Sequence, residues 1–142
     1  MGALIEAPMQ QLGVDISDEA DVAIAISRTR RFLGRGRVRD EDVYRMTTVV
    51  AELARNIVKY ATRGTVTVSL TERLGELQGS IVAEDEGPGM ADVAQALSDG
   101  FSTGGSLGMG LPGCRRMMDS FTIETAHGKG TIVRAGRRLG RS

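Results

Sequence analysis

Apolar side chains between residues 40 and 63 recur at steps of three and four, the spacing that gathers them on one side of a helix. These positions are Val43, Met46, Val50, Leu53, Ile57 and Ala61. Acidic residues 40–42 open the segment and suit the positive end of a helix. The pattern therefore predicts an amphipathic helix from residue 40 to about residue 63, with one apolar and one polar face.

Residues 65–71 instead alternate threonine or serine with valine or leucine, which is typical of a half-buried strand. A turn near Gly75 and a second strand over 77–84 complete an antiparallel hairpin. Further strands are predicted over 11–16, 121–125 and 131–135, and further helices over 18–33 and 111–119. This order predicts an α+β sandwich, in which helices cover one face of a mixed or antiparallel sheet.

Length and charge limit the classes of protein to consider. With 142 residues, 41% of them hydrophobic, we expect one domain over residues 1–142, with about ten flexible residues at the start and about six at the end. The 18 acidic and 18 basic residues balance, which argues against nucleic acid or a membrane as partner. No signal peptide or long apolar run is seen, so we expect a cytoplasmic protein.

The polar face of the helix over 40–63 carries a row of candidate functional residues. Glu52 and Asn56 are four apart, and Lys59 and Arg63 continue the row. An Asn oxygen can bind Mg²⁺, and a neighbouring Glu can deprotonate an attacking hydroxyl. The alternative is an ordinary solvated helix face.

A second candidate segment, residues 85–89, follows the strand over 77–84. The Asp85 carboxylate can accept a hydrogen bond from an adenine amine, and Gly87 and Gly89 let a base approach the backbone without meeting a Cβ. The alternative is a Pro-Gly turn after a strand.

The glycine-rich segment from residue 100 to 110 precedes the helix over 111–119. Residues 108–113 match the dinucleotide pattern G-x-G-x-x-G, but no strand is predicted immediately before them, as that pattern requires. A lid whose backbone N–H groups bind phosphates at a helix N-terminus fits better than a dinucleotide site or a plain surface loop. The candidate phosphate contacts are Gly104, Gly105, Gly108, Met109 and Gly110.

In chain order, these segments resemble the motifs of the GHKL ATPase and kinase superfamily. Residues 52–56 (ELARN) resemble its N box, residues 85–89 (DEGPG) its first glycine box, residues 108–110 (GMG) its second, and residues 128–131 (GKGT) its final Gly-Thr element. Within the superfamily, residues 51–57, 83–89 and 100–104 with 108–113 are similar to the RsbT-type switch serine kinases, which are relatives of the anti-sigma factor kinases.

This resemblance implies a Bergerat fold with a glycine-rich ATP lid, and ATP and Mg²⁺ as cofactors. The implied roles are a general base at Glu52, a Mg²⁺ ligand at Asn56, an acceptor for the adenine amine at Asp85, a base pocket shaped by Gly87 and Gly89, phosphate contacts at Gly108 and Gly110, and support of the adenine contact at Thr131. Lys59 is added to the ATP site from its helical spacing alone.

The resemblance also implies a serine or threonine of a STAS-domain protein as the substrate, and a PP2C-type phosphatase as a second partner. The leading hypothesis is a Mg²⁺-ATP-dependent protein serine/threonine kinase of a partner-switching, stressosome-like module, acting as a monomer or homodimer. The alternative is an ATP-gated anti-sigma-type module that sequesters a sigma factor or phosphatase without significant catalysis.

Two single-copy residues bear on these hypotheses. The sole histidine, His127, lies in a glycine-rich turn rather than on a phosphoacceptor helix, so the acceptor must belong to another protein. The sole cysteine, Cys114, excludes an internal disulfide and is expected to pack as a small apolar residue.

Overall fold

The hairpin predicted from the sequence forms the middle of the sheet. Strands β2 (Gly64–Arg73) and β3 (Glu76–Asp85) pair antiparallel, and Leu74 and Gly75 between them have φ angles of 52° and 81°. Two successive residues with positive φ match the twist of a two-residue hairpin turn. The turn predicted near Gly75 is therefore confirmed.

The computed structural model describes residues 10–89, 110–125 and 128–142. Within them, strands β1 (Gln10–Ile16), β4 (Ser120–Thr125) and β5 (Thr131–Leu139) complete a sheet of order β1-β2-β3-β5-β4, with every neighbouring pair antiparallel. The described helices are α1 (Glu19–Arg35), α2 (Asp40–Tyr60) and α3 (Gly110–Met117). The predicted α+β sandwich is confirmed.

The hydrophobic core lies between one face of the sheet and the helices. Alternate residues of β2 and β3, such as Val66, Val68 and Ile81, are buried, and so are Val50 and Leu53 of α2. Strand residues with a period of two and helix residues with a period of about 3.6 thus meet in one layer. None of the described helices is long and apolar enough to cross a membrane.

Helix α1 begins at a capping box formed by Asp18 and Asp21. The Asp18 side chain accepts from the backbone N–H of Asp21, and the Asp21 side chain accepts from the backbone N–H of Asp18. The pair binds N–H groups that have no partner inside the helix, which fixes where α1 starts.

The last residues of the chain are held against the start of α2. β5 continues to the buried Leu139, and the Gly140 N–H donates to the Asp42 carboxylate at 2.7 Å, at the end where the sequence predicts about six flexible residues. Asp42 also accepts from Arg45 at 3.0 Å and from Arg137 at 3.1 Å. This buried carboxylate therefore ties the helical layer to the end of β5.

Candidate ATP site

One end of the sheet brings two predicted residues together. Asp85 at the end of β3 lies opposite Thr131 of β5 on one side and Gly64 of β2 on the other. Thr131 is buried and Asp85 is half-buried. Because the register positions of Asp85 and Thr131 share the face that packs on the helices, both side chains lie at the rim between sheet and helices.

Local hydrogen bonds orient these two side chains. Asp85 Oδ1 accepts from the Gly87 N–H at 2.9 Å, and the Thr131 hydroxyl lies 3.1 Å from the Thr125 hydroxyl. Across the described ranges, the Asp85 carboxylate has no further hydrogen-bond donor. The Gly87 contact thus holds Asp85 Oδ1, and Oδ2 has no donor among the described residues.

Glycines let the chain pass closely at this rim. A Cβ on Gly87 would lie 2.8 Å from the Ala61 Cβ and 3.0 Å from the Tyr60 carbonyl oxygen. At Gly130, φ is +87° and a Cβ would clash with the Asp85 carbonyl. The chain's own packing therefore requires glycine at both positions, in addition to any approach of a base to Gly87.

Glu52 is the most unusual side chain of α2. Its exposed fraction is 1%, one carboxylate oxygen lies 3.4 Å from Arg55 Nη1, and Oε2 is buried without a hydrogen-bond partner among the described residues. Burying a carboxylate oxygen without a hydrogen bond costs free energy, and such atoms are often found at functional sites. Its position one turn before Asn56 is the spacing predicted from the sequence.

Asn56 lies half-buried on the same side of α2, and its amide has no hydrogen-bond partner in the described part of the chain. α2 runs toward the Asp85 end of the sheet, because Ile57 packs against Gly64 and Tyr60 lies against Gly87. Glu52 and Asn56 are therefore on the helix whose C-terminal end borders the rim.

Cys114 of α3 belongs to the environment of Glu52. It is fully buried, and burial raises the pKa of its thiol to about 12, with the negative charge of Glu52 adding to the effect. The thiol is thus neutral and unreactive, in agreement with its prediction as a packed apolar residue.

The predicted row of polar residues does not continue to Arg63. α2 ends at Tyr60, and the exposed Arg63 guanidinium instead pairs with Glu86 at 2.8 Å. The prediction that Arg63 lies on the helical row was therefore wrong, because the chain leaves the helix three residues earlier. Lys59 remains on the last turn, exposed, with its ammonium 5.4 Å from the centre of the Tyr60 ring.

Several predicted residues of the lid lie outside the described residues, namely Gly104, Gly105, Gly108 and Met109. His127 lies outside them as well. Gly110 is described: it is the first residue of α3 and has a φ of 55°. Gly89, with a φ of 80°, ends the described segment after β3.

Comparison with known proteins identifies the family. The family described as the histidine kinase-like ATPase domain matches residues 16–137. The chain belongs to this family. It is 42% identical over 125 residues to the serine/threonine-protein kinase RsbT of Bacillus subtilis (strain 168), and the aligned region covers 86% of this chain and 92% of that protein. The resemblance to the GHKL superfamily drawn from its motifs is thereby confirmed.

A second relative supports this placement, and a solved structure supports the fold. This chain is 32% identical over 107 residues to an anti-sigma F factor of Caldanaerobacter subterraneus subsp. tengcongensis, and the aligned region covers 72% of this chain and 74% of that protein. The crystal structure of the RsbU and RsbW domains of a Mycobacterium tuberculosis protein matches 95% of this chain and 33% of its own, with a TM-score of 0.64 and 18% identity. At that identity, the structural match speaks for the fold alone.

Arg55 is a residue of this ATPase domain for which no role was predicted from the sequence. Its guanidinium is the group that the structure places on Glu52, at 3.4 Å, and its side chain is 29% exposed. The signal was present in the sequence, since an acidic and a basic residue three apart on a helix are neighbours.

An open groove lined by Asp40, Glu41, Tyr44, Arg45 and Met117 contains none of the predicted site residues.

Proposed function

We propose that this ATPase domain is an ATP-dependent protein serine/threonine kinase with Glu52 as its general base. The observation that carries the proposal is the buried Glu52 carboxylate, one oxygen of which has no partner among the described residues. The 42% identity to a serine/threonine-protein kinase over most of both chains supports it.

In this proposal, the rim of the sheet binds the adenine. Asp85 accepts a hydrogen bond from the exocyclic amine, and Thr131, opposite it in the register, supports that contact directly or through a water. Gly87 and Gly89 shape the base pocket. The phosphate contacts are assigned to the lid residues Gly104, Gly105, Gly108, Met109 and Gly110, with Lys59 of α2 as an added cation.

The donor set fits Mg²⁺, which takes few protein ligands and is completed by waters and phosphate oxygens. Asn56 offers an amide oxygen that is half-buried and unpartnered in the described ranges, one turn from Glu52. When bound with ATP, Mg²⁺ neutralises charge that develops on the phosphate oxygens.

Glu52 then accepts the proton of the attacking serine or threonine hydroxyl. The hydroxyl oxygen forms a bond to the γ-phosphorus, the bond from that phosphorus to the bridging oxygen breaks, and ADP leaves. Arg55 lies 3.4 Å from the other Glu52 oxygen and so helps to orient the carboxylate. The apolar surroundings, Cys114 among them, exclude water that would compete with the hydroxyl.

The acceptor hydroxyl is proposed to lie on a STAS-domain protein of a partner-switching, stressosome-like module, with a PP2C-type phosphatase as a second partner. To test this, the purified protein is incubated with Mg²⁺, γ-labelled ATP and a STAS protein encoded nearby. We expect label on one serine or threonine of that protein, and none when EDTA is added. Intact nucleotide binding without any transfer would overturn the proposal.

The 32% identity to an anti-sigma F factor favours one alternative, an ATP-gated module that binds and releases a sigma factor or phosphatase without significant catalysis. A pull-down of the partner with and without ATP separates the two. Partner release that survives Glu52→Gln favours the gated module, whereas release that requires phosphorylation of the partner favours the kinase.

A further inference from the structure

Arginines are concentrated on one part of a protein whose formal net charge is zero. Of the 18 basic residues, six arginines fall between residues 28 and 39, on the second half of α1 and the turn that follows it. All six side chains are exposed: Arg28, Arg30, Arg31, Arg35, Arg37 and Arg39. The density of positive charge here is therefore local rather than a property of the whole chain.

Three of these arginines share one outer face of α1. Arg28, Arg31 and Arg35 are three and four residues apart, and together they are called the arginine stripe below. The exposed Ile24 lies one turn before Arg28 on the same face, with 40% of its surface accessible. The opposite face is buried through Val22, Ala25, Thr29 and Leu33.

The arginine stripe has no carboxylate partner within the described ranges. Neither has Arg30 or Arg37, whereas Arg39 pairs with Glu41 and Asp42. Elsewhere on the surface, several arginines do have acidic partners: the pairs are Arg63 with Glu86, Arg134 with Glu124, Arg138 with Glu76, and Arg141 with Glu72. The stripe is thus a cluster of positive charge that no described carboxylate compensates.

The C-terminal end of the stripe is also remote from the candidate adenine contact. Gly36, just after α1, packs against the side chain of Leu70, which is six residues along β2 from Gly64. At about 3.3 Å per strand residue, this places the end of α1 roughly 20 Å from the row that contains Asp85. Arg35 therefore lies far from the residue proposed to bind the adenine.

We propose that the arginine stripe is a docking surface for an acidic helix of a partner protein. Guanidinium groups at three- and four-residue steps match carboxylates at the same steps on a facing helix, and Ile24 adds an apolar contact at its end. A second copy of this chain is a poor partner, because none of its described helices carries exposed carboxylates at three- and four-residue steps. Nucleic acid is disfavoured, because the protein has no net positive charge and no exposed aromatic residue on α1.

The test uses a synthetic 18-residue helical peptide with glutamates at three- and four-residue steps beside leucines, and a scrambled peptide of the same composition. Binding is measured by fluorescence anisotropy at low salt without nucleotide. The double variant R28E/R31E removes two residues of the stripe, and R30E/R37E is its matched control, because it changes the net charge equally but lies off the stripe. Circular dichroism checks that both variants fold.

We expect the helical peptide to bind wild type more tightly than the scrambled one, with an affinity that falls as salt rises. R28E/R31E is expected to raise Kd by at least about tenfold, and R30E/R37E by less than about threefold. When the helical peptide is added, the backbone amides whose NMR chemical shifts change should lie on α1. Equal weakening by both variants, no binding of the helical peptide, or tighter binding of a 20-base-pair DNA duplex through the same arginines would overturn the proposal.

Discussion

Replacing Asp42 with Asn tests whether the start of α2 is fixed by one buried carboxylate. Asp42 is 2% exposed and accepts from Gly140 N–H, Arg45 and Arg137. Asn retains one acceptor oxygen and no charge, so in either orientation its amide N–H₂ faces at least one of these three donors and the charge-assisted bonds are lost or weakened. Removing one partner of such a buried cluster costs about 2–4 kcal/mol in the free energy of unfolding.

The pH dependence of this loss follows from the pKa of Asp42. Burial alone would raise it, but the Gly140 N–H and the guanidinium groups of Arg137 and Arg45 outweigh burial and lower it. A carboxyl whose pKa is lower in the folded state stabilises the fold above its unfolded pKa and loses that contribution as the pH falls. The difference between wild type and Asp42→Asn should therefore be full at pH 7 and shrink between about pH 5 and pH 2.

Urea denaturation followed by circular dichroism at several pH values measures this difference. The control is Asp40→Asn, since Asp40 is an exposed acid in the same helical turn and should cost less than about 1 kcal/mol. Equal losses for the two variants, or a loss at Asp42 that stays constant down to pH 2, would refute the reasoning.

Three further perturbations address other parts of the structure. Gly64→Ala should lower the free energy of unfolding by at least about 2 kcal/mol in a urea titration, because the added Cβ would clash with the Glu84 carbonyl. Gly13 has open space around it, so Gly13→Ala should change the free energy of unfolding by less than about 1 kcal/mol in the same titration. Asp85→Asn should weaken ATP binding by about 10- to 100-fold in calorimetry, and unchanged affinity, or an equal loss in the neighbouring Glu84→Gln, would contradict the adenine assignment. Cys114 should react with iodoacetamide at pH 8 at least about 100-fold more slowly in the native than in the urea-unfolded protein, because burial raises its pKa to about 12; comparable rates would refute its burial.

Much of the fold could be predicted because its local patterns agree with the tertiary structure. The alternation in β2, the helical steps of α2 and the glycine after Leu74 each specify one kind of element, and the structure forms them with ends shifted by a few residues. Arg63 shows the limit of such reasoning. A helical period can be extended on paper past the point where the chain turns into β2, and only the tertiary fold decides where α2 ends.

Contacts between distant residues could not be predicted in this way. Asp42 and Arg137 are 95 residues apart, so no local sequence pattern indicates that they pair. The second role of Gly87, packing against the end of α2, was missed for the same reason. In the candidate site, the sequence predicted Glu52 and Asn56 from spacing, but the burial of Glu52 and its contact with Arg55 required the structure.

The central claim is that Glu52 serves as the base for phosphoryl transfer. Its most direct test is single-turnover transfer from γ-labelled ATP to the partner protein by Glu52→Gln, with ATP affinity measured on the same sample. Glu41→Gln, a change at an exposed glutamate of the same helix, is the control. We predict transfer at least about 100-fold slower for Glu52→Gln, with ATP affinity within about threefold of wild type and an unaffected control. Transfer at the wild-type rate, or loss of ATP binding in step with transfer, would contradict the assignment.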